Sequence, residues 1–306
     1  MEDQGHPLVV SRTQARPVAM DVAAMLRDGT LTPPTGPERR RPLRRQRHQR
    51  VRRAPRASSL CALCVMLVAG GSWTQPTTLE ASRQPAQDPD ALYAAREDPS
   101  RALEAAAAWE RRLAADANDF EALWKLARAC YWLGSHVAEA DRRTQLERGV
   151  DAGRRATAVH PDRPDGHFWM AANMGALAEG FGLRTGLKYR GAIKKALETA
   201  RAIDPAYLHG AADRALGRWY SKVPRLFGGS DAKSVEHLER SLTYAPASIA
   251  SRFFLADTLR QMNRPDDARR ELEAVVAAPH DPDWIPEERE FKQRARRLLD
   301  ALPKRR

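Results

Sequence analysis

Residue types that carry chemistry are thinly spread in this chain of 306 residues. Cys61 and Cys64 have the CxxC spacing of a redox dithiol or half a zinc site, but both lie inside the apolar run LCALCVMLV, so neither reading is adopted. Cys130, in LARACYWLG, stands alone and reads as a small buried residue. The histidines are scattered. His160, His209 and His280 fall near helix ends and His237 falls on a polar helix face, and none stands three or four residues from another histidine or a cysteine. His167 opens an aromatic helix, where a histidine hydrogen-bonds near a helix start. The sequence contains no GxxxxGK[ST], HExxH or GxSxG. GFGLRTG, from Gly180, spaces its glycines wrongly for a dinucleotide loop, and the glycine pair in RLFGGSDAK reads as a turn before an N-cap at Ser230. The reading is therefore non-enzymatic, with no cofactor and no metal.

What remains is a surface for contact. In GHFWMAANMGALAEGFGLRTGLKYR, the side chains of Phe168, Trp169, Met170, Met174 and Leu177 point to every side of a helix, the pattern of a helix buried between neighbours. The glycines at 180, 182 and 186 then suggest a loop of roughly eight residues where a tight turn would serve, and long loops are where function collects. It carries Phe181, Leu183, Arg184, Lys188 and Tyr189. A second insertion, SKVPRLFGG, carries Val223, Leu226 and Phe227. These eight residues are the candidate binding surface for a protein partner or an apolar small molecule, with Arg184 and Lys188 as its polar rim. The alternative is that both loops merely fill the groove between helix pairs.

The elements that position them are helices. From Ala91 onward the apolar period is helical, with no alternating Val, Ile or Thr to argue for a strand. The segments TAVHPDRPDG, RAIDPAYLHG, LTYAPASIAS and VVAAPHDPDW each end a helix before a proline. These prolines, Pro161, Pro205, Pro246 and Pro279, are spaced 44, 41 and 33 apart. A recurrence near ~34 residues with insertions marks a two-helix solenoid. The expected fold is therefore all-α, a right-handed solenoid of about four helix pairs (119–161, 164–205, 207–246 and 247–279). An amphipathic helix at Arg101–Asp116 precedes the pairs, and a charged cap at Pro286–Leu302 follows them. Ala127, Gly217 and Ala256 are the small residues where paired helices cross, while Trp169, Leu216, Tyr220, Leu255 and Ala268 fill the space around them.

The charge is concentrated ahead of the helices. Arg39 to Arg56 holds ten arginines and no acid, most of the formal +12. An apolar run, Leu60–Val68, and the small residues Ala69, Gly70 and Gly71 follow, the layout of an export signal. The run falls short of the roughly 20 residues of a comfortable membrane span. The chain accordingly divides into a leader (1–38), an export signal (39–72), a linker (73–90) and a helical-repeat domain (91–302). This places the protein in the periplasm or cell envelope. The alternatives are an anchor formed by the uncleaved apolar segment, or an intracellular repeat scaffold whose basic tail meets nucleic acid or an acidic partner; nucleic acid is the weaker reading.

Several blocks carry a family resemblance: ALWKLARACYWLG, GHFWMA followed by GLKYR, ALGRWY with its FGG insertion, and DPDWIPEEREFKQRARRLL. Over Phe120–Leu299 the chain resembles the tetratricopeptide superfamily, and within it the TatT group (T-component proteins of TRAP transporters) and the eukaryotic regulators of microtubule dynamics. The TatT resemblance implies a non-enzymatic transporter accessory that forms oligomers and meets a substrate-binding protein. Members of that group are commonly lipoproteins. Here both cysteines of the apolar run follow leucine rather than a small residue at a cleavage point, so lipidation is not expected.

Overall fold

A computed structural model describes residues 88–303, and the segments read above as leader and export signal, with the arginine tract, lie outside the described residues. The described residues form eleven α-helices and one 3₁₀ turn, with no strand among them. The short α1 (Pro89–Ala94) and α2 (Pro99–Ala115) lead into four antiparallel pairs. These are α3 (Phe120–His136) with α4 (Glu139–Val159), α5 (Pro164–Gly180) with α6 (Leu183–Ile203), α7 (Tyr207–Lys222) with α8 (Asp231–Tyr244), and α9 (Ile249–Gln261) with α10 (Pro265–Ala277). α11 (Ile285–Ala301) closes the stack. Each helix packs on the next, and α3, α5, α7 and α9 also touch in succession, the arrangement of a solenoid. α1 begins at Pro89, inside the stretch read as linker.

Local chemistry accounts for the boundaries. Each second helix of a pair, α4, α6, α8 and α10, ends two residues before one of the four spaced prolines. Its C-cap residue, His160, Asp204, Ala245 or Ala278, has left the helical region as a residue before proline should. Starts are capped by Asp98, Asp119, Ser230 and Ser248, whose side chains accept from backbone N–H groups of the first turn.

The first helices of the pairs are buried on nearly every side. Trp169, Leu216, Ala127, Ala256 and Ala268 are essentially inaccessible, and Tyr220 and Leu255 nearly so. Phe168, Met174 and Leu177 join them, so the aromatic helix is core. Gly217 sits against α8, where an added Cβ would lie 2.6 Å from Leu238 Cγ. His167 bonds the Pro161 carbonyl at 2.9 Å, a helix-start role.

The two ends of the stack are joined. Arg96, between α1 and α2, makes a two-pronged contact with Glu287 of α11 at 2.7 and 2.6 Å and also donates to the Asp283 carbonyl. Its guanidinium lies within 5.5 Å of the ring centres of Tyr93, Trp132 and Trp284. Trp132 Nε1 donates to the Arg96 carbonyl, and both charged side chains are almost wholly buried. Burial pushes the Glu287 carboxyl above its ordinary range despite the opposing pull of Arg96.

Candidate functional site

The eight residues read as a binding surface lie on the edge of the stack formed by the turns within pairs. The first segment is not a long loop. α5 runs to Gly180 and α6 starts at Leu183, leaving a two-residue turn of Phe181 and Gly182. Gly182 has φ +84°, which an L side chain rarely adopts, and its carbonyl accepts the Thr185 and Gly186 N–H groups, so the helix restarts at once. The glycines that suggested a loop include Gly186, which is helical. Arg184, Lys188 and Tyr189 therefore project from the first two turns of α6.

Phe181 packs half-buried on the core beneath the Arg143 guanidinium, 5.4 Å from the ring centre. Leu183 is 67% exposed. Lys188 Nζ lies 5.0 Å from the centre of the Tyr189 ring.

The second segment is a true insertion. Val223 caps α7, Pro224 follows, Arg225–Phe227 form the 3₁₀ turn, and Gly228 and Gly229 return the chain to Ser230, whose N–H bonds the Tyr220 carbonyl. A Cβ at Gly229 would fall 1.7 Å from the Val223 carbonyl oxygen, so only glycine fits. Leu226 is 87% exposed, and Phe227 is half-buried under Arg190, with the guanidinium 5.3 Å from the ring centre.

Arg190 links the two segments. It follows Tyr189 on α6, its carbonyl accepts from Trp219 Nε1 at 3.0 Å, and its guanidinium covers Phe227. Sequence reasoning stopped one residue short of it; the signal was the run Lys188, Tyr189, Arg190, two cations around an aromatic. Arg143 was also missed, because it comes from the preceding pair. Leu183 and Leu226 are the two most exposed large hydrophobic side chains among the described residues. Arg184 and Arg225 stand next to them in the chain, Arg143 and Arg190 cover Phe181 and Phe227, and Arg143 and Arg225 are paired to Glu147 and Asp231 at 3.0 and 2.7 Å. An apolar patch in a cationic rim can receive an apolar anchor surrounded by acidic groups.

Beneath this edge the inner helices are stitched by an ion ladder. Glu179, Arg218 and Asp257 recur 39 residues apart on α5, α7 and α9, and Arg218 bonds both carboxylates at 3.1 and 2.9 Å. Burial pushes the Asp257 carboxyl up, but Lys222 and Arg218 outweigh it and leave it below its ordinary range. Burial pushes the Lys222 amine down.

No group of three metal-ligating side chains occurs among the described residues. His237 bonds Asp213 at 2.6 Å, stacks on Tyr220, and shares Asp213 with Arg240 and Arg201 between α6, α7 and α8. Sequence reasoning saw only polar neighbours there. At the opposite edge, where the turns between pairs gather, a cavity of about 430 Å³ opens between the starts of α7 and α9 and the α10–α11 connection.

Two family models match. Regulator of microtubule dynamics protein 1-3 matches residues 87–227, and TRAP transporter T-component matches residues 166–304. The solved structure of TTC0263, a thermophilic TPR protein of Thermus thermophilus, superposes with TM-score 0.51 at 23% identity, covering 68% of this chain and 98% of that one. The fold is that of the tetratricopeptide repeat. MamA follows with TM-score 0.40 at 16% identity, covering 65% of this chain and 95% of its own. No curated protein sequence matches. This tetratricopeptide-type chain thus resembles one group over its first pairs and the other over its last, with the α5–α6 pair and α7 common to both. No helix among the described residues is long and apolar enough to cross a membrane.

Proposed function

We propose that the chain is a non-catalytic, exported interaction protein that docks a protein partner on the edge formed by Phe181, Leu183, Arg184, Lys188, Tyr189, Val223, Leu226 and Phe227. One observation carries the reading: its two most exposed large apolar side chains among the described residues, Leu183 and Leu226, stand on that edge, each next to an arginine in the chain. A lone exposed leucine means little, but two on the same edge, each beside a phenylalanine covered by an arginine, make a candidate contact patch. Both family models include the eight residues, and the T-component model, whose match runs on to residue 304, supports a transporter substrate-binding protein as the partner and the periplasm or envelope as the location. Homo-oligomer formation belongs to the same reading, with an apolar small molecule as the other candidate for the patch.

The test uses the full chain and the substrate-binding protein of a TRAP transporter from the same genome. A photocrosslinker at Leu226 should capture that protein, and Leu183→Glu with Leu226→Glu should abolish capture while leaving the melt within about 0.5 kcal/mol of wild type, as for exposed positions. Capture that survives both substitutions, or a mature protein that retains Met1 in the cytoplasm, removes the proposal.

A further inference from the structure

The cavity at the opposite edge, which the docking patch does not reach, has a wall that no part of the contact reading uses. Tyr244, Trp284, three prolines and three alanines give it a largely apolar lining around about 430 Å³, the size of a small-molecule site. Leu208, His209 and Gly210, at the start of α7, are three consecutive residues with positive φ (47°, 59° and 74°). Such backbone is strained for leucine and histidine and is kept where the surroundings demand it. The turn sets His209 on the cavity wall, which it shares with His280 of the α10–α11 connection.

The cations at this wall are already committed. Arg214 is almost fully buried and engaged. On α11, Arg289 pairs with Glu97, and the Lys292 ammonium donates to the Ala278 carbonyl. The amide end of α9, which also borders the cavity, is capped by Ser248, whose side chain accepts the Ser251 N–H.

Two acids are left over. The first turn of α11 carries Glu287 and Glu288, and Arg96 takes up the first of them. Glu288 and Asp281 line the cavity, and among the described residues neither has an arginine or lysine within ion-pair distance. Glu288 makes its contacts through one oxygen: Oε2 accepts the Asp281 N–H at 2.8 Å and meets His280 Nδ1 at 3.3 Å. Its Oε1 has no partner among the described residues, although the side chain is only 13% exposed. Asp281 likewise accepts the Asp283 N–H through Oδ1 alone. An ionised carboxylate accepts through both oxygens, so each acid keeps capacity for a donor.

We infer that this cavity binds a small primary ammonium with an apolar body, its N–H groups received by Glu288 Oε1 and Asp281 and its body held between Tyr244, Trp284 and the prolines. The two aromatic rings suit such a ligand, because a ring face attracts a cation and also packs against apolar groups. Glu288 makes the site sensitive to pH. Burial pushes its carboxyl up to about 7, with Asp281 and Glu287 raising it further and the Asp281 N–H and Lys292 opposing. Burial, with Lys292 and Arg289, pushes the His280 ring down, so near neutral pH it adds no positive charge. His209 and Arg214 share the cavity with Glu288 from α7, and Tyr244 does so from α8. The ammonium needs Glu288 ionised, so binding strengthens as pH rises through 7.

Isothermal titration with 3-phenylpropylamine, 3-phenylpropanol and 3-phenylpropionate tests this on the full chain. The amine should bind at least about tenfold more tightly than the alcohol, as a charge-assisted hydrogen bond implies, and the acid should bind more weakly still. Amine affinity should rise about fivefold to tenfold from pH 6 to pH 8, following the ionised fraction of a group that titrates near 7. Glu288→Gln keeps an acceptor for the Asp281 N–H but removes the charge, so it should weaken the amine about tenfold at pH 8 and flatten the rise. Ala247→Trp serves as a second variant: Ala247 is exposed on the cavity rim, and the indole should block binding with the melt unchanged. Alcohol or acid binding as tight as amine binding, no measurable binding of the amine, or indifference to either Glu288→Gln or Ala247→Trp overturns the inference. None of these outcomes bears on the docking patch at the other edge.

Discussion

Replacing one crowded and one open glycine with alanine isolates the cost of helix crossing in this solenoid. Gly217 of α7 and Gly191 of α6 both lie inside helices, so each gains about 0.5–1 kcal/mol of backbone preference on becoming alanine. They differ in what the new methyl meets. At Gly191 nothing lies within 4 Å. At Gly217 the Cβ falls 2.6 Å from Leu238 Cγ, 3.1 Å from Leu238 Cδ2 and 3.1 Å from the Ser234 carbonyl oxygen. Leu238 is fully buried and the Ser234 oxygen belongs to the backbone of α8, so relief requires the helices to separate. Overpacking of this kind costs about 1–3 kcal/mol. The helix-propensity gain cancels between the variants, so the difference in their unfolding free energies is the crossing cost itself. For a folded unit spanning residues 88–303, each kcal/mol moves the melting temperature by roughly 2–4 °C. Gly191→Ala should therefore melt slightly above wild type, with Gly217→Ala about 2–12 °C below Gly191→Ala and Gly217→Leu lower still. Calorimetry of the three variants decides it. If Gly217→Ala melts with or above Gly191→Ala, the α7–α8 crossing is not set by the small residue and the register of the third pair must be abandoned.

Arg96→Ala should cost about 3–5 kcal/mol by leaving Glu287 buried and unpaired, whereas Arg96→Met with Glu287→Leu should be near neutral in denaturant melts, as for buried pairs replaced together. Trp169→Ala should cost about 3–5 kcal/mol for a large buried aromatic. Glu288 has a folded pKa raised to about 7, so its favourable contribution is complete below the unfolded value near 4.3 and is lost as pH rises through 7. With its partial contact with solvent, the loss by pH 8 is about 1–2 kcal/mol, and Glu288→Gln should be stabler than wild type there and equal to it near pH 4.5. Burial pushes the Cys130 thiol up to about 12, so a thiol reagent at pH 8 should label it only after unfolding.

The sequence by itself determined the repeat. Proline sterics act on the residue just before, so Pro161, Pro205, Pro246 and Pro279 mark where α4, α6, α8 and α10 stop. The side-chain caps at Asp119, Ser230 and Ser248 each act over three residues and are legible for the same reason. The all-round apolar pattern of α5 likewise placed Phe168, Trp169 and Leu177 in the core. Tertiary structure decided the rest. Glycine has one meaning in a loop and another at a helix contact, so the sequence read Gly182 and Gly186 alike as loop. The first is a turn residue with positive φ and open space around it, and the second lies inside α6, where an added Cβ would lie 3.4 Å from the Ala178 carbonyl oxygen. The Arg96–Glu287 pair spans 191 residues and exists only because the orientations of successive pairs accumulate until α11 reaches the first turn of the stack. The same accumulation brings the left-handed turn of α7, the start of α9 and the α10–α11 connection around one cavity. No local period encodes that meeting, because it depends on the angle at which each helix pair packs on the next.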